Sequence, residues 1–179
     1  TMHMLSWLAV DGTAAIVEFP GVLFRGAAEA KIRQYLVENN YVDAVIQLPP
    51  DLFFGTQIAT CIIVLKKSKQ DNSVLFVDAS KQFVREGNKN KLSAENQEMI
   101  LKTLAKRADV DHVAALVSAE AIRDNGFNLS VSSYVEAEDT REEVDIVELN
   151  ARIKEIVERQ AVLRASIDEI VADLEGGAR

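Results

Sequence analysis

Nine positions near the carboxyl end, Ile146, Leu149, Ile153, Ile156, Gln160, Leu163, Ile167, Ile170 and Leu174, alternate in steps of three and four. That spacing sets one stripe on one face of a single long helix, as the a and d positions of four heptads. A stripe this narrow calls for another helix to cover it. Isoleucine dominates position a, and one polar residue there, Gln160, is the kind of interruption that sets register. Packing against its own domain would satisfy the same stripe. The length of the match favours an intermolecular role, and Val157 and Val171 widen the stripe toward a helical bundle with a partner.

Charge separates this segment from the rest. Residues 136–179 hold 13 acids against 6 bases, whereas residues 1–135 hold 15 against 14. The formal charge of −8 argues against free-standing binding to nucleic-acid phosphates, and an acidic helix without aromatics does not suit a membrane surface. Within the near-neutral body, Lys81, Arg85, Lys89, Lys91, Lys102, Lys106 and Arg107 stand against Glu86, Glu95 and Glu98. They read as a solvated helix surface rather than a binding face. No run of eighteen apolar residues and no basic leader is present, so neither a membrane span nor a signal peptide is expected. The single Cys61 fits a reducing, cytoplasmic setting, and two histidines with one cysteine do not make a usual zinc site.

Upstream of the stripe the pattern alternates. Met4, Leu5 and Leu8 read as the last turns of a helix, stopped at Asp11-Gly12. Residues 13–19 read as a buried strand ended by Pro20-Gly21. Ala28, Ile32, Tyr35 and Leu36 recur at helical spacing until Asn39-Asn40. Residues 42–48, 58–65 and 74–77 read as three more strands, the first of them stopped by Pro49-Pro50. The 58–65 run is almost wholly apolar, so both its faces should be covered, as inside an α/β sheet. Too few helices precede it for a complete sheet, which points to the second half of a larger α/β domain. Ser93 caps a helix over 94–107, residues 113–117 suggest a short strand, Ser118 caps a short helix ending at Gly126, and residues 127–135 read as an ordered loop.

The residues alone supply no self-sufficient active site. His3 and His112 stand apart from any nucleophile motif, Cys61 sits in an apolar run as a buried inert thiol, and no glycine-rich phosphate loop occurs. The absent loop also disfavours a small flavodoxin-like nucleotide enzyme. What remains is a pair of segments, Pro20-Gly-Val-Leu-Phe-Arg-Gly26 and Leu48-Pro-Pro-Asp-Leu-Phe-Phe-Gly-Thr-Gln-Ile58, each directly after a strand. In open α/β sheets ligands bind at that edge. The adjacent Phe53 and Phe54, beside Gly55 and Thr56, could stack on a flat ligand such as a nucleobase, or could cap the end of the sheet.

These segments resemble the modification (M) subunit of type I restriction–modification systems, an N6-adenine DNA methyltransferase. The likeness runs through His3-Met-Leu-Ser-Trp-Leu, Asp11-Gly-Thr-Ala-Ala-Ile-Val, Gly21-Val-Leu-Phe-Arg-Gly, Ile32-Arg-Gln-Tyr-Leu and Val45-Ile-Gln-Leu-Pro. It continues through Phe53-Phe-Gly-Thr-Gln-Ile-Ala-Thr-Cys-Ile-Ile-Val-Leu, Val74-Leu-Phe-Val-Asp-Ala-Ser and Asn128-Leu-Ser-Val-Ser-Ser-Tyr-Val. Such subunits transfer a methyl group from S-adenosylmethionine to adenine N6. They hold the donor with a glycine-rich loop and the adenine with an Asn/Asp-Pro-Pro-aromatic motif. Neither occurs here, and Leu48-Pro-Pro-Asp51 lacks both the leading amide and the closing aromatic.

The resemblance therefore implies the carboxyl-terminal portion of such a subunit, inactive alone and binding no S-adenosylmethionine by itself. Its fold would be the carboxyl-terminal half of a Rossmann-like methyltransferase sheet: the last three strands, with the 58–65 strand between the other two and antiparallel to them. Helices and a long coiled-coil or bundle helix would follow. The implied division is residues 1–80 for the α/β part, 81–143 for a mostly helical connecting region and 144–179 for a partner-binding helix. Phe53, Phe54, Gly55 and Thr56 would border the pocket for the flipped adenine. The heptad helix would join the specificity (S) subunit, and through that complex meet the restriction (R) subunit and DNA. Without the preceding strands the 13–19 strand would have an open edge, so a covering segment or homodimerisation is expected. A free-standing coiled-coil interaction protein without catalysis is the alternative.

Overall fold

The computed structural model describes residues 1–138 and 145–176. The chain divides into two units, Thr1–Glu138 and Asp139–Arg179, and each is described by itself.

The first unit is mixed α/β. Its element order is α1 (Met2–Trp7), β1 (Thr13–Glu18), a 3-10 turn (Pro20–Leu23), α2 (Ala27–Glu38), β2 (Val42–Gln47), β3 (Cys61–Lys66) and β4 (Ser73–Asp78). A hairpin of β5 (Val84–Glu86) and β6 (Lys89–Lys91) follows, then α3 (Ala94–Lys106), β7 (Ala114–Ser118), α4 (Ala119–Asp124) and a 3-10 turn at Val131–Ser133. Five strands form one sheet in the order β1-β3-β2-β4-β7. β3 lies between β1 and β2 and is antiparallel to both. β4 runs parallel to β2, and β7 antiparallel to β4.

Alternation along the strands sorts the core into two layers. Val45, Ile63, Leu65, Val74 and Phe76 face α1, α2, α4 and the 127–135 segment, where Leu5, Leu36, Ile122, Leu129 and Val131 close over them. Ala44, Ile46, Leu75 and Val77 face the opposite way, toward Ile100 with Met99 and Leu104 of α3. The 127–135 segment is ordered by packing. The Tyr134 ring stacks on Phe76 at 4.3 Å between centroids, and its hydroxyl donates to the Asn128 carbonyl at 2.6 Å. Arg33, only 5% exposed, ties α2 to two turns: Nε donates to the Phe127 carbonyl at 2.9 Å and a terminal nitrogen to that of Val22 at 3.0 Å. Burial lowers its pKa, and the nearby Glu29 opposes that shift.

Caps explain the helix boundaries. The Ser93 hydroxyl accepts from the Asn96 amide at 3.2 Å, and the Asn96 side chain accepts from the Ser93 amide at 3.0 Å, a reciprocal capping box. Ser118 caps α4 through the Ala121 amide.

Four expectations need correction. The third strand begins at Cys61 rather than Ile58, because the Ile58 amide is taken by the Thr56 hydroxyl and the Thr60 carbonyl closes the loop base against the Leu48 amide. Only one face of β3 is fully covered: Cys61, Ile63 and Leu65 are buried, while Ile62 and Val64 lie at the margin of the α3 layer. β1 is not a buried strand but a sheet edge paired only with β3 among the described residues, so its side chains alternate between half-buried and exposed. The bases from 81 to 91 do not decorate a helix surface, since Arg85, Lys89 and Lys91 sit on the β5–β6 hairpin.

In the second unit, α5 (Ile146–Gly176) is one continuous helix of 31 residues, about 46 Å long. The Asp145 carboxylate starts it, accepting from the Val147 amide at 2.8 Å and the Glu148 amide at 3.2 Å. Every apolar position of the heptad stripe is exposed, from Ile146 to Leu174.

Candidate functional site

β1 and β2 both run antiparallel to β3, and β4 runs with β2. Their carboxyl ends therefore share one edge of the sheet. Three connections emerge there: Phe19–Gly26 after β1, Leu48–Thr60 after β2, and Ala79–Phe83 leading from β4 into the hairpin. The two segments singled out in the sequence are thus side by side by topology.

The middle connection carries the most unusual surface. Pro49-Pro50 ends β2, since proline cannot donate to the ladder. The chain then turns at Asp51 (φ 59°) and again at Gly55 (φ 79°), a left-handed conformation that glycine adopts at little cost. Between those turns Phe53 is half-exposed and Phe54 is fully exposed. On the neighbouring connection Phe19 and Phe24 are also exposed. Aromatic surface left in water at the carboxyl edge of a sheet is available for stacking.

The loop under Phe54 is braced. Asn90 of β6 donates from its backbone amide to the Asp51 carbonyl at 3.1 Å and from its side-chain amide to the Pro50 carbonyl at 2.8 Å. Lys89 Nζ donates to the Phe53 carbonyl at 3.1 Å and the Thr56 carbonyl at 3.3 Å. The Asp51 carboxylate lies 3.3 Å from Arg85 and 3.6 Å from Lys89, and Arg85 also donates to the Asn90 side-chain oxygen at 3.0 Å. Lys91 pairs with Glu86 at 2.8 Å. Each of the three hairpin bases has a carboxylate within 4 Å, Arg85 and Lys89 sharing that of Asp51, while their side chains stay partly exposed.

The sequence reading placed Arg85 and Lys89 among solvated surface bases and passed over Asn90. The signal that finds them is Gly87-Asn88 between two short polar runs, a two-residue hairpin turn of the type that places glycine first. Gly87 has φ +60° and Glu86 faces Lys89 across it. Thr60 has the one buried side-chain polar atom without a partner among the described residues.

The other candidates stay apart from this edge. His3 is an exposed residue of α1 with its ring 4.2 Å from that of Trp7. His112 lies in the turn before β7, its Nδ1 at 3.1 Å from the Glu136 carbonyl. Cys61 is buried, its thiol pointing at the Glu18 carbonyl at 3.4 Å. Burial, with the charge of Glu18 in second place, pushes that thiol up to about 11, so it carries no thiolate at neutral pH.

Further ionisable groups gather at the opposite edge, at the amino ends of β2 and β4. There Arg107 bridges Asp43 at 3.0 Å and Asp71 at 3.3 Å. Lys69 Nζ donates to the carbonyls of Val42 at 2.6 Å and Ser73 at 2.7 Å. These contacts tie the starts of β2 and β4 to the turn between β3 and β4 and to the residue that ends α3.

Comparison with known proteins decides the family. A model of the family described as N-6 DNA Methylase matches residues 1–143. The chain belongs to that family. It is similar to the type I restriction enzyme MpnII methylase subunit of Mycoplasma pneumoniae, at 45% identity over 97% of this chain and 32% of that protein. It is also similar to the MjaVIII methylase subunit of Methanocaldococcus jannaschii, at 36% identity over 88% of this chain and 29% of that one. Among solved structures it matches the type I restriction–modification methyltransferase subunit of Streptococcus thermophilus, with TM-score 0.74 and 43% identity over 75% of this chain and 29% of that one. The chain thus spans about a third of the length of these methylase subunits. Among the described residues, no helix is long and apolar enough to cross a membrane.

Proposed function

We propose that this chain is the carboxyl-terminal portion of the modification subunit of a type I restriction–modification enzyme, which transfers a methyl group from S-adenosylmethionine to adenine N6 in DNA. The single observation that carries the reading is the fully exposed Phe54 on a braced loop at the sheet's carboxyl edge. A target adenine must leave the base stack before its N6 can react, at a cost of a few kcal/mol. A ring waiting at the pocket border offsets about 1–3 kcal/mol of that by stacking. Phe53, Gly55 and Thr56 shape the turn that presents it.

Such a subunit takes its methyl donor from S-adenosylmethionine, but the residues of this chain do not fit a donor cradle. The glycines that follow β1 at the carboxyl edge are Gly21 and Gly26. The Arg25 guanidinium closes over Gly21, within 2.7 Å of where a Cβ would stand, so no open cleft is formed there. The donor site belongs to another part of the longer protein, and this portion alone is inactive. Its own contribution is to extend a Rossmann-like sheet, with β1 joining the strands that precede it, and to supply the target-base border.

In this reading the exposed stripe of α5, from Ile146 through Gln160 to Leu174, enters a helical bundle with the specificity subunit. That subunit brings the DNA-reading surface and, in the complex, the restriction subunit. An acidic helix does no harm when a basic partner provides phosphate attraction. In this reading the assembled enzyme works in the cytoplasm.

The test uses the full-length methyltransferase with its specificity subunit. Phe54→Ala lowers kcat for methyl transfer to DNA by on the order of tenfold or more, from the lost stacking, and leaves S-adenosylmethionine affinity unchanged. Unchanged kcat would remove Phe54 from the reaction. The same exposed stripe also favours a free-standing coiled-coil interaction protein. Sedimentation separates the two readings: that protein self-associates through residues 144–179, whereas the subunit helix pairs with its partner instead.

A further inference from the structure

We infer that Lys89, with Asn90 beside it, is a positioning residue for Phe54, and that the β5–β6 hairpin exists to hold the aromatic loop in a set place. The inference rests on the reading of Phe54 as the ring that meets the target base.

The argument begins with exposure. No neighbouring side chain buries the ring of Phe54, so its place is set by the backbone that carries it. Surface loops of this kind are ordinarily the mobile parts of a fold. Here four consecutive anchor points are gripped by one short hairpin: the carbonyls of Pro50, Asp51, Phe53 and Thr56. Two of those four, Phe53 and Thr56, accept from a single ammonium group and bracket Phe54 and Gly55 between them.

The electrostatics favour this role over a phosphate contact. Lys89 lies 3.6 Å from the Asp51 carboxylate, which Arg85 also approaches. Its three donors face two carbonyls and a carboxylate. A lysine arranged in this way directs its ammonium group to the loop, although its side chain is 41% exposed. It orients the loop, and a ring displaced by about an ångström from its stacking geometry would lose a large factor in rate.

The experiment uses the full-length methyltransferase assembled with its specificity subunit, comparing wild type with Lys89→Met, Lys89→Arg, Phe54→Ala and the double variant Lys89→Met/Phe54→Ala. Hydrogen exchange across residues 52–58 reads the loop directly, and steady-state methylation separates kcat from the KM for DNA. The expected result is faster exchange in that segment for K89M, with kcat down on the order of tenfold and the KM for DNA near wild type. K89R, which keeps the donors, recovers part of both. In the double variant K89M adds little to the loss already caused by F54A, because Lys89 acts through that ring.

Unchanged exchange in K89M overturns the inference, as does a raised KM for DNA at constant kcat with a shallower salt dependence, the signature of a phosphate contact. Additive losses in the double variant overturn it too. Wild-type kcat in F54A instead defeats the reading of Phe54, while the exchange result still decides whether Lys89 holds the loop.

Discussion

Asp71 and Arg33 show what single side chains contribute to the scaffold that carries the candidate site. The Asp71 carboxylate accepts from the Ser73 hydroxyl at 2.6 Å and from the Ser73 amide at 2.9 Å. Those bonds, the hydroxyl first, with Arg107 adding to them, hold its pKa at about 2, below the ordinary 3.8. A carboxyl whose folded pKa is depressed adds stability above its unfolded pKa and loses it as pH falls through the folded one. Asp71→Asn is therefore expected to lower the melting temperature at pH 6, with the gap to wild type closing between pH of about 4 and about 2. Thermal scans across that range check it. Replacing Arg33 removes two charge-assisted bonds and strands two carbonyls. Arg33→Leu is expected to cost about 2–4 kcal/mol in denaturant unfolding. At this scale the sequence was partly legible. Ser93 and Ser118 announced their caps, and Cys61 its burial, because those signals are local. Arg33 did not stand out, because its partners Val22 and Phe127 are brought to it only by the fold.

The hairpin and the long helix pose opposite problems of reading. The α5 stripe was plain because nine spaced residues repeat one geometric rule. The β5–β6 hairpin was obscured because it is three residues a side, polar, and without alternation. Its only mark is the Gly87-Asn88 turn. Gly87→Val forces a β-branched residue to φ +60°, at about 1–3 kcal/mol. The expected readout is faster amide exchange from 84 to 91 and in the loop it braces, with α2 and α3 unaffected. In α5, Ile156→Asp and Leu163→Asp place charge in the stripe and are expected to abolish co-purification with a specificity subunit. Gln160→Ile removes the polar interruption and should increase self-association in sedimentation, since register is then less constrained.

Across the whole chain, the alternation of helices and strands and the antiparallel place of the third strand could be read from pattern and family likeness. The strand boundaries could not. Ile58–Thr60 have β-branched character yet belong to a loop, because the Thr56 hydroxyl and the Leu48 amide claim their backbone groups. β1 and β7 are the two edges of the five-stranded sheet among the described residues, each paired on one side. Val17 on β1 is exposed, and Val17→Lys is expected to reduce self-association of this chain with its circular dichroism unchanged, as charges do on edge strands.

Helix α5 carries a final consequence for the cell. The exposed stripe from Ile146 to Leu174 is about 42 Å long, and apolar surface left bare to water over such a length invites association. If a partner helix sheathes that stripe, the chain made without it is expected to be lost faster than the chain made with it, which a pulse-chase comparison of the two checks.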